Sequence, residues 1–228
     1  MINLTDKNHT KTFSADDFSK LAMNKDIIET FQDYLELQQK YSAAIKEICT
    51  KLEILNEDFK VKYDHNPIHH IESRLKSPQS MFNKLRKNGM DISFKSAMEN
   101  LHDIAGIRVI CCYKDDVYRV AELLLMQNDI SPIQKKDYIR NPKENGYRSL
   151  HLVVTVPIFL SNKTEHVAVE VQFRTIAMDM WASLEHKLRY KQKKVLPEDI
   201  KNELKNSADE IADIDERLQE IHKKIHRL

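Results

Sequence analysis

The sequence has few of the residues that several nucleotide-binding and metal-binding classes require. Glycine and cysteine each occur only three times in 228 residues, and neither a Walker-type loop nor a Gly-x-Gly-x-x-Gly segment is present. P-loop and Rossmann folds are therefore excluded, and any phosphate group must be held by side chains rather than by a backbone nest. The cysteines are odd in number and lack metal-ligand spacing, which predicts reduced structural thiols in a cytoplasmic protein.

The chain also lacks a long apolar run and an excess of one charge. No segment approaches the roughly eighteen apolar residues of a membrane span, and the first residues lack a signal pattern, so we expect a soluble protein with no membrane partner. Charged residues make up 31% of the chain, yet the formal net charge is only +1. Without a global basic field, no nucleic acid is expected as a substrate, and any anion site must be local.

Hydrophobic periodicity divides the chain into four parts. Residues 1–23 are polar and aperiodic, which predicts a mobile N-terminal arm. Residues 24–63 carry apolar side chains at steps of three and four, which predicts a long amphipathic helix. Residues 64–191 hold every candidate strand and functional motif, and residues 192–228 are predicted to form a C-terminal helix that begins at Pro197.

The C-terminal helix carries a narrow apolar seam in which steps of three and four alternate. The seam consists of Ile211, Ile214, Leu218, Ile221, Ile225 and Leu228. Such a seam needs a partner helix, which is either the protein's own N-terminal helix or a helix of a second subunit. The pattern fits both arrangements.

Four segments of the central part are predicted to be strands. Gly106–Tyr113 is short and β-branched, and a predicted helix, Asp115–Asn128, follows it. Arg148–Val156 and His166–Arg174 are expected to form a hairpin, and a weaker strand, Ile133–Tyr138, precedes them. With helices before, between and after these strands, the sequence predicts an α+β fold with a mixed β-sheet of about five strands flanked by helices.

Two carboxylates are placed where they could act in a reaction. The segment His166–Arg174 alternates strictly, so Glu170 lies on the polar face of a rigid strand. Asp103 immediately precedes the strand that begins at Gly106, and two carboxylates at one rim of a sheet form the oxygen-rich environment that Mg²⁺ prefers. Plain solvent exposure of the polar face and a loop or cap role for Asp103 are the alternatives.

The pair His102-Asp103 also permits a different enzyme, a metal phosphohydrolase. Further candidate ligands are His65, His69, His70 and His151. Histidine and aspartate metal clusters are best built from inward-facing helical positions, whereas this pair leads directly into a strand, which argues against the phosphohydrolase. The first three of these histidines lie in a Pro-containing connection and are expected at the surface, where a zinc contact stays open.

A group of cations precedes and covers a short predicted helix, Gln79–Asn88. The group comprises Arg74, Lys76, Lys84, Arg86 and Lys87, together with the hydroxyl of Ser80. Ser80, Lys84 and Lys87 can share one helix face, and Arg108 could add a planar guanidinium that binds phosphate or stacks on a base. A solvated basic face is the alternative, because charge runs usually face solvent.

The segment Lys143–His151 combines a cation, a tight turn, an aromatic side chain and a histidine. Asn145-Gly146 supplies the positive φ that a tight turn requires. Tyr147 is either an exposed platform for a base or a half-buried strand residue after an ordinary hairpin turn. The segment by itself does not decide between them.

Six motifs, taken in order and spacing, resemble the synthetase domain of the RelA/SpoT family. They are Arg74-x-Lys76-x3-Ser80-x3-Lys84, Asp103-Ile-Ala-Gly-Ile-Arg108, Lys136-Asp-Tyr-Ile, Pro142-Lys-Glu-Asn-Gly-Tyr-Arg-Ser-Leu-His151, Glu170-Val-Gln-Phe-Arg-Thr175 and Trp181-Ala-x2-Glu185-His186. The resemblance covers about residues 65–191 and implies a nucleotidyltransferase-like domain. The short chain is similar to a stand-alone small alarmone synthetase.

The resemblance implies a GTP pyrophosphokinase, which transfers the β,γ-pyrophosphate of ATP to the 3′-hydroxyl of GTP or GDP and yields pppGpp or ppGpp with AMP. Asp103 and Glu170 would hold Mg²⁺, and Glu170 would also orient or deprotonate the 3′-hydroxyl. Family members often form tetramers through their terminal helices, which implies a homo-oligomer, with a tetramer favoured.

The resemblance also divides the other site residues between two nucleotides. Arg74 and Arg108 would sandwich the adenine of ATP. The ATP phosphates would be neutralised by Lys76, Ser80, Lys84 and Lys87. Tyr147 would stack on guanine. The rest of the GTP or GDP site would be Lys136, Lys143, Asn145, His151, Gln172 and Arg174. Glu185 would support that site. Asp179 stands where family members often carry histidine or asparagine, and whether its carboxylate accepts hydrogen bonds from guanine stays open.

The alternative from another functional class is a regulatory protein that binds a nucleotide or RNA and catalyses no reaction. It would use the same basic helix, with Tyr147 as a stacking platform. It predicts binding without turnover.

Overall fold

The computed structural model describes residues 25–63, 65–191 and 197–225. The predicted arm over residues 1–23 and the last seam residue, Leu228, lie outside these ranges. In chain order the elements are α1 (Lys25–Tyr63), β1 (Ile68–Leu75), α2 (Pro78–Lys87), α3 (Phe94–Asn100), β2 (Ala105–Cys111), α4 (Lys114–Leu125), β3 (Ser131–Asp137), β4 (Leu150–Phe159), β5 (Thr164–Thr175), α5 (Ile176–Lys191) and α6 (Glu198–Ile225). Among these described helices, none has the length and apolar character of a membrane span.

The five strands form one sheet in the order β1-β2-β5-β4-β3. The central pair, β2 and β5, is parallel, whereas the other neighbouring strands are antiparallel. The predicted hairpin is formed by β4 and β5, in register from Leu150 opposite Phe173 to Phe159 opposite Thr164. The predicted α+β class with a mixed sheet is confirmed.

Two elements were not predicted from the sequence. β1 contains His69 and His70, so the interpretation of these residues as part of a connection is wrong. This strand lies at the sheet edge and exposes most of its side chains, so it lacks the alternating apolar pattern by which a strand is recognised. The helix α3 is capped by Ser93. It is only seven residues long, which is too short for a helical period to be recognised in the sequence.

One hydrophobic core joins α1 to the apolar face of the sheet. α1 contributes Leu37, Tyr41, Ala44, Ile48 and Leu52, and β5 contributes Val167, Val169, Val171 and Phe173. Because side chains alternate along β5, burying these four residues turns Glu170 and Gln172 to the opposite face. The core therefore determines which side of the sheet carries the polar groups.

α6 packs against α5 and α4, but most of its apolar seam faces solvent. Ile214, Leu218, Ile221 and Ile225 are between 46% and 61% exposed. The N-terminal helix α1 therefore does not cover these four residues. For them, the prediction that the seam packs on the protein's own N-terminal helix is wrong.

We expect the substitution Leu52→Ala to lower the free energy of unfolding by about 2–5 kcal/mol, because it opens a cavity between α1 and the sheet. Leu52 is fully buried, whereas Ile54 on the same helix is 59% exposed. Ile54→Ala is the matched control and should change the unfolding free energy by less than about 0.5 kcal/mol. Urea titrations followed by circular dichroism measure both values, and equal losses in the two variants would contradict this placement of α1.

Candidate active site

A row of polar side chains crosses all five strands on the face opposite the core. The register places Glu72 beside Arg108, Arg108 beside Gln172, Gln172 beside His151 and His151 beside Lys136. Residues paired in this way lie side by side on one face of a sheet. Residues predicted to serve two different nucleotides therefore share one continuous surface.

A second row of paired residues, beside the polar row just described, forms the floor of a cleft. Arg74, Gly106 and Glu170 are paired across β1, β2 and β5, and the cleft above them has a volume of about 520 Å³. Gly106 contributes no side chain, so space stays open between the arginine and the glutamate. Lys76 and Asp103 line the same cleft.

Asp103 is held by two lysines that come from different elements. Its Oδ2 atom lies 2.9 Å from Lys76 Nζ, just after β1, and 2.8 Å from Lys84 Nζ on α2. Burial raises the pKa of Asp103, but the bonds from both lysines outweigh it and leave that pKa below its ordinary value. The other oxygen, Oδ1, is buried and has no hydrogen-bond partner among the described residues.

Glu170 is also held ionised by its neighbours. Gln172 Nε2 donates to its Oε2 at 2.8 Å, and His151 Nδ1 lies 3.3 Å from its Oε1. Burial raises the pKa of Glu170, but the bonds from His151 and Gln172 outweigh it, and the pKa is lowered overall. The nearby charge of Asp103 acts in the opposite direction, so the two carboxylates interact electrostatically.

The two carboxylates fit a metal ion that is shared with substrate phosphates. Mg²⁺ is commonly bound by one or two carboxylates together with phosphate oxygens, and the unpartnered Oδ1 of Asp103 supplies a free ligand atom. Within residues 25–63, 65–191 and 197–225, no group of three or more histidine, cysteine or acidic side chains could hold a metal. His102 is exposed and does not line the cleft that contains Asp103, which argues against the His-Asp phosphohydrolase.

The loop between β3 and β4 presents the predicted acceptor residues. Gly146 has φ +86°, which confirms the predicted turn, and its amide donates to Lys143 O at 2.8 Å. Asn145 Oδ1 accepts from the amide of Tyr147 at 3.2 Å, and Asn145 Nδ2 donates to Glu185 Oε1 at 3.2 Å. One open groove is lined by Lys143, Asn145, Tyr147 and Glu185, but not by Gly146. Since β4 begins only at Leu150, the interpretation of Tyr147 as a strand residue is wrong.

Tyr147 is surrounded by donors and cations. Its hydroxyl accepts from Arg174 Nη2 at 2.8 Å and lies 2.8 Å from His151 Nε2. Lys143 Nζ lies 4.8 Å from the centre of the ring, and the guanidinium carbon of Arg174 lies 5.2 Å from it. The ring is half-buried, so its position is set by these contacts.

A closed ring of hydrogen bonds connects the acceptor loop to Glu170. Arg174 Nη2 donates to Tyr147 and, at 3.0 Å, to Gln172 Oε1. When His151 donates from Nδ1 to Glu170, its Nε2 accepts from the Tyr147 hydroxyl, so that each bond of the ring joins one donor to one acceptor. Two arms therefore lead from Arg174 to Glu170, one through Tyr147 and His151 and the other through Gln172.

Asp179 and Glu72 belong to the site, although sequence reasoning assigned no role to Glu72 and left that of Asp179 open. Arg174 Nη1 donates to Asp179 Oδ1 at 2.9 Å, and Arg108 Nη1 lies 3.5 Å from the same oxygen. Arg108 also donates to Glu72 Oε2 at 2.9 Å. The position of Asp179, five residues after Arg174 at the start of α5, was a signal, but only the fold shows that it lies between two guanidiniums.

Other predicted residues lie further from the cleft. Ser80 and Lys87 are exposed on α2 and do not line it. Lys136 is exposed on β3 beside His151. His65 lies beside the first turn of α4, where its Nε2 is 2.9 Å from Asp116 Oδ1.

Comparison with known proteins gives the family. A model described as the region found in RelA/SpoT proteins matches residues 73–195, more than half of the chain. The GTP pyrophosphokinase YwaC from Bacillus subtilis (strain 168) is 41% identical over 200 residues, which cover 88% of this chain and 95% of that protein.

Solved structures agree with this result. The small alarmone synthetase 2 from Bacillus subtilis has a TM-score of 0.77 and 41% identity, covering 84% of this chain and 99% of that one. The small alarmone synthetase 1 from the same organism, bound to its product pppGpp, has a TM-score of 0.74 and 35% identity, covering 81% and 94%. The resemblance inferred from the six motifs is confirmed, and the protein belongs to the RelA/SpoT family.

Proposed function

We propose that the protein is a GTP pyrophosphokinase that makes the stringent-response alarmones pppGpp or ppGpp and AMP from ATP and GTP or GDP. The 3′-hydroxyl of the guanine nucleotide loses its proton as its oxygen forms a bond to the β-phosphorus of ATP. The bond from that phosphorus to the oxygen bridging to the α-phosphorus breaks, and the bridging oxygen leaves with AMP. The observation that carries the proposal is the continuous polar face on which a basic cleft with two carboxylates adjoins the Tyr147 loop. Relatives named as GTP pyrophosphokinases support it.

The cleft side of this face is proposed to bind ATP. Arg74 and Arg108 lie in neighbouring rows of adjacent strands, where their guanidiniums can stack on both sides of an adenine. Lys76 and Lys84, which bind Asp103 in the described chain, would turn to the triphosphate when it enters. Ser80 and Lys87 would contact its outer oxygens from α2.

Asp103 and Glu170 are proposed to hold Mg²⁺ against the donor phosphates. The bound ion would supply positive charge to the phosphoryl oxygens and help orient the reacting groups. Because its pKa is lowered, Glu170 suits orientation of the 3′-hydroxyl and metal binding better than strong general-base catalysis. His151 and Gln172 hold its carboxylate in one orientation.

The loop side is proposed to bind the acceptor, GTP or GDP. Tyr147 would stack on the guanine, and exposed Lys143, which lies over the ring in the described chain, would move to an acceptor phosphate. The phosphates, sugar and base edge would further contact Lys136, Asn145, His151, Gln172 and Arg174. Glu185 would support Asn145 through the bond already present between them.

We also propose that the chain forms a homo-oligomer, with a tetramer favoured, through its terminal helices. Two apolar faces support this proposal. The first is the exposed part of the α6 seam, and the second consists of Ile176, Met180, Leu184 and Leu188 on α5, which are 46–54% exposed. Exposed apolar residues grouped on one helix face are typical of interaction surfaces. We expect a cytoplasmic location, where ATP and GTP are available.

The first test is turnover itself. Incubation with ATP, GTP and Mg²⁺ should yield AMP and a guanine nucleotide that carries two additional phosphates, which anion-exchange chromatography separates. Glu170→Gln should lower kcat by about 10²-fold or more while ATP still binds, because the side chain keeps its shape but loses its charge.

Glu165→Gln is the matched control for this substitution. Glu165 lies on the same strand but pairs with Lys40 and Lys163 outside the cleft. The kcat of the Glu165→Gln variant should therefore differ from that of the wild type by less than about threefold. Binding of nucleotides by folded wild-type protein without any product would instead favour the regulator, and degradation of added pppGpp would favour the phosphohydrolase.

A second test concerns the guanine platform. Tyr147→Ala should raise KM for GTP by about tenfold or more, because stacking of a base on an aromatic ring contributes about 1–3 kcal/mol. Tyr147→Phe keeps the ring and should raise KM for GTP far less. Initial rates at varied GTP give these values, and equal KM values for the alanine and phenylalanine variants would argue against stacking.

A third test concerns assembly. Leu218→Glu places a charge in the exposed seam of α6 and should reduce the mass measured by light scattering towards the 26.8 kDa of one chain. Leu218→Met keeps the apolar character and should leave the mass unchanged. A wild-type mass of 26.8 kDa would contradict the oligomer.

A further inference from the structure

The acceptor loop lies directly on the first half of α6. A Cβ atom added at Gly146 would lie 2.5 Å from Ala208 Cβ and 3.5 Å from Lys205 O. Glycine is therefore required at this position by the helix beneath it as well as by its positive φ. Tyr147, the next residue, packs with Ile211 against a small cluster that contains Trp181 and Ala208.

Arg148 joins the loop to this helix, and no role was assigned to it above. Its Nη1 donates to Gly146 O at 3.0 Å and to Ala208 O at 3.2 Å, and its Nη2 lies 2.9 Å from Asp209 Oδ1. One planar guanidinium thus binds the loop backbone, the helix backbone and a helix carboxylate together. Only arginine offers several donors in this fixed arrangement.

α6 is anchored to the domain independently of Arg148. Trp181 Nε1 donates to Leu204 O at 3.0 Å. The hydroxyl of Thr175, at the end of β5, donates to the buried carboxylate of Asp215 at 2.7 Å. These bonds hold α6 to α5 and to the central strand, so the helix can act as a fixed support for the loop.

From these contacts we propose that Arg148 is a positioning residue for the acceptor nucleotide: it fastens the Tyr147 loop to α6 and sets the position of the guanine platform. The inference rests on the proposed function, since it names the support of that same acceptor site. Its specific consequence is that α6 controls affinity for the guanine nucleotide. The donor cleft does not share this dependence, because Lys76 and Lys84 hold Asp103 without α6.

Arg148→Ala is the direct test. It should raise KM for GTP by about tenfold, because hydrogen bonds from a charged donor to loop and helix are lost. KM for ATP should stay within about twofold and kcat should fall less than KM rises, since the lost contacts position substrate rather than reacting atoms. Arg148→Lys should restore affinity only in part, because an ammonium group cannot span all three acceptors.

Asp209→Asn distinguishes the ion pair of Arg148 with Asp209 from the hydrogen bonds of Arg148 to backbone oxygens. Asp209 is half-exposed, so the ion pair alone is weak, and this variant should raise KM for GTP by no more than about threefold. An effect as large as that of Arg148→Ala would assign the role to the ion pair rather than to the backbone contacts, and would overturn the proposed arrangement.

The single tryptophan of the chain, Trp181, gives a readout of the fold that is independent of turnover. Its indole lies in the cluster between α5 and α6, so its emission should stay unchanged in Arg148→Ala if α6 remains docked. A red-shifted emission together with a raised KM for ATP would mean that the residue has a general structural role, which would overturn the inference.

Calorimetric titration of GTP into wild-type and variant protein completes the test. Binding by Arg148→Ala should be about tenfold weaker than by wild type, and equal dissociation constants would overturn the inference whether or not the protein turns over. Absence of product from wild type, with this tenfold difference present, would refute the proposed reaction and leave the positioning role intact.

Discussion

The hydrogen-bonded ring around Glu170 depends on the alternation of side chains along β5. Burial of Val169, Val171 and Phe173 against α1 places Glu170 and Gln172 on the opposite face, and a shift of one residue in register would exchange the two faces. The cost of exposing three large apolar side chains therefore holds the Glu170 carboxylate in position. The other site residues lie on the strands beside β5, on the loop before β4 and on the helices α2 and α5.

Charge balance explains how so many ionised groups can share this face. Asp103 lies between two lysines, Asp179 lies between two arginines, and Glu170 accepts hydrogen bonds from neutral or weakly basic partners. Burial of a charge is costly unless it is paired, and here each of the three carboxylates has partners on the same face. In the proposed reaction, substrate phosphates and a cation would replace these partners, so that no isolated charge is left behind.

Much of the site could be predicted from short motifs, because the spacing along one element fixes the geometry within it. The alternation from Val167 to Arg174 placed Glu170 on a polar face, and Asn145-Gly146 indicated the turn. β1 could not be predicted, since an edge strand that exposes most of its side chains carries no apolar period. The roles of Glu72, Asp179 and Arg148 could not be predicted either, because these residues have partners on other elements.

The sequence by itself determined the fold class, the family resemblance and the polar face of β5, because these follow from local periodicity and from residues at fixed spacing. Only the tertiary structure decided that Asp103 meets Lys76 and Lys84, and that α6 supports the Tyr147 loop. Those contacts join residues from separate elements. Their geometry depends on strand order and helix packing, and short-range patterns do not encode these.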